Sequence, residues 1–123
     1  MRTWILIGLA GAAGTLMRYG IAIITGKMNW GFTGLPTLIS NIIGCFLIGI
    51  IISLAAKGNR ITEEVKVILA VGFCGGLTTF SSFTAENYSF LSGKNFLNFA
   101  LYTSISVFTG LLAMWLGSLC VRN

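Results

Sequence analysis

Aspartate and histidine are absent from this 123-residue chain, and glutamate occurs only as Glu63, Glu64 and Glu86. No serine or cysteine can therefore be paired with an imidazole base. No cluster of carboxylate and imidazole ligands can hold a catalytic metal. The inventory excludes an enzyme of any familiar acid–base or metal-assisted kind. Charge of both signs is scarce: Asp, Glu, Lys and Arg make up 9% of the residues, against about 25% in a soluble domain. Proline occurs once, as Pro36. Cys45, Cys74 and Cys120 are odd in number and lie in apolar runs, so they read as buried free thiols. Eight Lys+Arg give a net charge of +5, but they are scattered singly. That argues against nucleic acid as a partner.

What is abundant is apolar side chain. Hydrophobic residues make up 55% of the chain and the mean hydropathy is +0.89. At about 20 residues per crossing, the length holds four spans with short loops and no soluble domain. The expected architecture is a single all-α integral membrane domain over residues 1–123, with spans at about 4–25, 36–56, 65–90 and 96–121. The first apolar run continues to Ile24, too long for a signal-peptide core, so it is expected to remain as a span.

The first span carries small residues at Gly8, Gly11, Ala12 and Gly14, which let helix backbones approach closely. Arg18, near its end, either snorkels to the headgroups or faces a polar vestibule, attracting anions or bracing a loop. Trp30 and Phe32 in the following loop suit an interface belt. Pro36 stands where a helix begins. In the second span Asn41 needs hydrogen-bond partners. It either joins two helices or offers its amide to a permeating ion. Gly44 and Gly49 suggest close helix contact. The polar stretch Lys57–Glu64 is a solvated connector, with Thr62 as an N-cap for the third span and Glu63 and Glu64 near the positive end of its dipole.

The third span contains Gly72-Phe-Cys-Gly-Gly-Leu-Thr-Thr-Phe-Ser-Ser-Phe-Thr-Ala-Glu86. Gly75-Gly76 weakens the helix, and Thr78, Thr79, Ser81, Ser82 and Thr84 follow. A broken helix is tolerated at membrane depth only where protein or a water-filled cavity covers it. Phe80 and Phe83 share one face beside these hydroxyls; they either pack against lipid and core or line a path. Glu86 is the single acid inside a span. In the fourth span Tyr102, Ser106 and Gly110 share a face, a hydroxyl track that ends in a gap.

The intramembrane polar groups are thus mostly neutral donors: Ser40, Asn41, Thr78, Thr79, Ser81, Ser82, Thr84, Tyr102 and Ser106, with Arg18 near one end. A path lined by donors and lacking acids suits a small anion. Ring edges carry partial positive charge, so Phe80 and Phe83 can meet an anion edge-on. The glycine pair is followed by Leu-Thr rather than Lys, so it is not a phosphate cradle.

The third-span stretch Gly72–Glu86 resembles the signature of the Fluc (CrcB) fluoride-channel family. Arg18, Asn41 and Tyr102 with Ser106 match that family's other marks in order, and the resemblance covers the whole chain. It implies a fluoride-selective passive channel exporting fluoride across a bacterial or archaeal plasma membrane, built as an antiparallel dual-topology homodimer with two pores. It implies that Phe80 and Phe83 line the fluoride path and that Asn41 donates to the ion. Ser81, Ser82, Thr84, Tyr102 and Ser106 would belong to the polar track, with Arg18 and Glu86 at the vestibule. It further implies a structural sodium ion on the two-fold axis, held by the backbone carbonyls of Gly75 and Thr78. Gly110 departs from the pattern, since a further hydroxyl is expected there.

Basic residues are nearly balanced across the membrane. Arg2, Lys57, Arg60, Lys66 and Arg122 lie on the terminal side, and Arg18, Lys27 and Lys94 on the other. So weak a bias permits insertion in both orientations. A small multidrug/proton exchanger of dual topology is the alternative. It needs a carboxylate in the first span, which is absent.

Overall fold

A computed structural model of the chain describes residues 1–28, 31–58 and 60–122, with Arg122 described by its backbone alone. Trp30 and the side chain of Arg122 lie outside the described residues. Among the described residues, four helical stretches are long and apolar enough to cross a membrane: Arg2–Lys27, Leu35–Ala56, Glu63–Ser92 and Phe96–Val121. The first two are the helices α1 (Arg2–Lys27) and α2 (Leu35–Ala56). The third is composite. It runs as α3 (Glu63–Val67), a π-helical segment (Ile68–Cys74), α4 (Gly75–Leu77) and α5 (Phe80–Ser92). The last helix is α6 (Phe96–Arg122).

Local chemistry accounts for the helix ends. Pro36 sits in the first turn of α2, where its missing N–H costs nothing. Thr62 accepts a hydrogen bond from the Val65 N–H at 3.2 Å and caps α3, with Glu63 and Glu64 in the first turn. Lys94 adopts φ 56° in the turn between α5 and α6. Asn95 Oδ1 then accepts from the Asn98 N–H at 3.2 Å, at the start of α6.

The break in the third stretch falls at Thr78 and Thr79, both extended, with ψ of 157° and 118°. The glycine pair before them stays helical in α4. Gly76 serves packing instead: a Cβ there would lie 2.3 Å from the Gly11 carbonyl oxygen of α1. The chain breaks two residues later because the threonines have substitutes for the lost backbone bonds. Thr79 Oγ1 accepts from the Ser82 N–H at 3.2 Å and becomes the N-cap of α5.

Close backbone approach organises the packing. α2 lies along α6, and α1 lies along the π-helical segment and α4. At the first contact, a Cβ on Gly49 would stand 2.1 Å from the Met114 carbonyl oxygen, and one on Gly117 would stand 2.1 Å from that of Phe46. Gly14 of α1 meets the Phe73 carbonyl in the same way, whereas Gly8 faces open space. Such small-residue seams replace the hydrophobic driving force that lipid does not supply. At one end of the molecule Thr3 Oγ1 donates to Glu64 Oε1 at 2.8 Å, and Lys57 Nζ donates to the Val121 carbonyl. The start of α1, the end of α6, the end of α2 and the start of α3 therefore gather on one side.

Candidate functional site

An open groove of about 290 Å³ runs along the break. α2 contributes Asn41, Cys45 and Ile48. The break and α5 contribute Thr78, Thr79, Phe80 and Phe83, and α6 contributes Ser106 and Gly110. Among the described residues no carboxylate lines it. Of the residues expected to form a path, Asn41, Phe80, Phe83 and Ser106 thus come together from three separate helices.

Asn41 reaches across to the broken backbone. Its Oδ1 accepts from the Thr79 N–H at 2.8 Å, and its Nδ2 donates to the Thr79 carbonyl at 3.3 Å. One side chain therefore satisfies both backbone groups that the break frees at Thr79. The second N–H of Nδ2 has no partner among the described residues. The two roles open for Asn41 in the sequence are compatible: its oxygen joins helices while its amide keeps a donor at the groove.

Ser106 presents a further unused donor. Its Oγ is buried and takes no hydrogen bond among the described residues. Other span hydroxyls turn back on their own helix: Ser40 to the Pro36 carbonyl at 2.8 Å, Thr84 to Phe80 at 2.9 Å, Thr109 to Ile105 at 2.6 Å. An unpartnered buried hydroxyl is costly unless something completes it.

Phe80 is 79% exposed, while Phe83 is half-buried. Their ring centroids stand 5.8 Å apart, tilted by 35°, and Phe83 also meets the Tyr102 ring at 5.2 Å. Tyr102 is buried and its hydroxyl donates to Glu86 Oε2 at 2.5 Å, with the Gly34 carbonyl at 3.3 Å. Thr37 Oγ1 donates to the other Glu86 oxygen at 2.6 Å. Tyr102 and Glu86 thus sit beside the groove, committed to one another. Ser81 is exposed, Ser82 Oγ accepts from Thr79 Oγ1 at 3.1 Å, and none of Ser81, Ser82 or Thr84 is part of the groove wall. Arg18 Nε donates to the Gly76 carbonyl at 3.1 Å, bracing the turn before the break.

The break also leaves carbonyls. Asn41 has taken the Thr79 N–H, so the Gly75 carbonyl loses its usual helical donor, and no hydrogen bond reaches the Thr78 carbonyl among the described residues. Neutral carbonyl oxygens are the ligands of hard cations, so this pair fits one. Among the described residues there is no cluster of His, Cys, Asp or Glu that would hold a metal differently.

Thr79, one of the neutral donors the sequence offers, is the hub of the break. Two further participants carry no sequence signal. Thr37 is a ligand of Glu86 drawn from a different span. Asn87 is buried, donates to the Phe83 carbonyl at 3.0 Å and accepts from Thr103 Oγ1 at 3.1 Å, tying α5 to α6. Nothing local marks either contact.

A bundle of four apolar helices, one broken over a groove of neutral donors, defines a small polytopic membrane protein of the channel type. Residues 5–118 match the family model described as CrcB-like protein, Camphor Resistance (CrcB), and the chain belongs to that family. It is 37% identical over 123 residues to a protein of Flavobacterium psychrophilum, covering all of this chain and 99% of that one. It is 36% identical over 112 residues to one from Azobacteroides pseudotrichonymphae, covering 91% and 90% of the two chains. With a Thermus thermophilus protein it shares 40% over 118 residues, covering 95% and 93%. Each of these relatives is named fluoride-specific ion channel FluC. The protein is a multi-pass protein of the bacterial plasma membrane, and its family is one of channels rather than enzymes.

Proposed function

We propose that this protein is a fluoride-selective passive channel that lets fluoride leave the cytoplasm. The observation that carries this reading is the buried, unpartnered Ser106 hydroxyl in the same groove as the free Asn41 N–H and the Phe80 and Phe83 rings. A small anion sheds strongly held water on entering the membrane. Each lost water needs a donor or a positive ring edge in its place, and this wall supplies both without a repelling carboxylate. The fluoride-channel names of the relatives support the choice of ion.

The working unit is an antiparallel dual-topology homodimer with two pores. A groove bearing free hydroxyl and carbonyl groups cannot face lipid, and a second copy of the chain covers it. A sodium ion is held at the centre by the Gly75 and Thr78 carbonyls of both subunits. Bound there, it would neutralise the carbonyl dipoles left by the break and fix the two subunits together. A proton-coupled exchanger is disfavoured, because Glu86 is held by Thr37 and Tyr102 and does not line the groove.

The test is fluoride efflux from liposomes carrying the purified protein, read with a fluoride electrode, with a potassium ionophore to balance charge and chloride as control. Fast fluoride release without chloride release is expected. Absence of fluoride flux, or flux that requires a proton gradient, would overturn the reading.

A further inference from the structure

One part of the groove is made by a side chain to which neither the hydroxyl track nor the aromatic pair gives a role. The α6 face that carries Tyr102 and Ser106 reaches Gly110 one turn further on and offers no side chain there. Across the gap stands Cys45 of α2. A Cβ built on Gly110 would meet the Cys45 sulfur at 3.6 Å and nothing else within 4 Å among the described residues. Cys45 is half-buried, lines the groove, and its thiol makes no hydrogen bond among the described residues. It is not alone in lacking a partner: the Ser106 oxygen in the same wall is fully buried and equally unpaired among the described residues. Two unused donors, from facing helices, therefore converge on one space. By contrast, Cys74 is wholly buried behind the break and Cys120 lies exposed near the end of α6.

We propose that the Cys45 thiol is part of the ion path, supplying the weak donor beyond Ser106 where α6 has only Gly110. This rests on the channel reading above. A thiol donates weakly, but in a site stripped of water even a weak donor aimed at an anion counts for more than it does in bulk. The same placement makes Cys45 a site where a small thiol-seeking reagent obstructs the path. Methylmercuric chloride is neutral, enters membranes, and carries a soft metal suited to sulfur. The thiol gives up its proton, the S–Hg bond forms, and chloride leaves as the counter-ion of that proton.

The experiment is fluoride efflux from liposomes with four proteins. Wild type sets the reference, and its failure to conduct would sink the channel reading rather than this inference. Cys45→Val keeps the volume and removes the donor, and should conduct about tenfold more slowly, as expected for one lost charge-directed hydrogen bond. Cys45→Ser should restore most of that loss. Cys45→Val with Gly110→Ser should also recover, because the hydroxyl returns from the opposite wall; a packing role for Cys45 would not be rescued that way. Methylmercury should silence wild type and Cys120→Ser, with a single mercury located on Cys45 of the Cys120→Ser protein by mass spectrometry, and should leave Cys45→Ser conducting. Wild-type flux in Cys45→Val, no recovery in the double variant, or undiminished flux through protein labelled at Cys45 would each overturn the proposal.

Discussion

Replacing Asn41 by alanine removes the one side chain that serves both freed backbone groups of Thr79. The structure sets the size of the effect. A bond of 2.8 Å to the Thr79 N–H and one of 3.3 Å to its carbonyl are lost together. A buried backbone group left unpaired costs about 1–3 kcal/mol, whereas an average side-chain bond between membrane helices contributes only about 0.6 kcal/mol. The smaller figure applies when partners are easily replaced. Here the open groove admits some water to Thr79, but the groups belong to backbone that has no helix neighbour to fall back on. A net loss of about 2 kcal/mol lies between the two limits, enough to lower the folded-to-unfolded ratio roughly thirtyfold. The assay is unfolding in mixed micelles, followed by far-UV circular dichroism, run beside fluoride efflux from liposomes. Asn41→Asp separates the two roles of this residue. It keeps an acceptor for the Thr79 N–H, so it should unfold closer to wild type than the alanine variant does. It also places an acid beside the anion, so its flux should fall at least as far. If Asn41→Ala unfolds within about 0.5 kcal/mol of wild type, the clamp on the break is not what holds this region together. If Asn41→Asp conducts fluoride at the wild-type rate, Asn41 does not face the ion.

Three further outcomes are expected. Phe83→Ile should reduce fluoride flux more than Phe80→Ile, because the Phe83 ring contacts both Phe80 and Tyr102. Size-exclusion chromatography should show both variants still assembled, and equal, unchanged flux in the two would remove the rings from the path. Gly117→Ala should force α2 and α6 apart, since its Cβ would stand 2.1 Å from the Phe46 carbonyl oxygen. The cost is about 1–3 kcal/mol of stability, and a thermal melt equal to wild type would contradict the packing described. Exchanging sodium for N-methylglucamine on both sides of the membrane should silence flux and loosen the proposed dimer; full activity after exhaustive exchange would count against a cation at the Gly75 and Thr78 carbonyls.

Much of the architecture is legible in the residues because its causes are local. Runs of apolar side chain long enough to cross hydrocarbon announce helices wherever they occur, and Pro36, Thr62 and the acids after it mark where two of them begin. The break was visible as a region, yet its position was misleading. Gly75-Gly76 looked like the weak point, but the glycines stay helical, and Gly76 is small so that α1 can come close. The chain opens at Thr78 and Thr79, where hydroxyl capping and a distant asparagine replace what the helix loses.

The sequence by itself determined that this chain is a four-span membrane protein with a polar interruption in its third span and too few ionisable groups for enzyme chemistry. Only the tertiary structure decided which polar groups are free. Ser106 and Thr84 look alike along the chain, but Thr84 spends its hydroxyl on its own helix, whereas Ser106 has no partner among the described residues. Likewise Arg18 finds Gly76, and Glu86 finds Thr37 and Tyr102, only through packing of separate helices. The reason is physical: burial and run length are properties of a segment, whereas whether a donor is satisfied depends on what lies opposite it. That is set by helices that meet through glycine seams far apart in the chain.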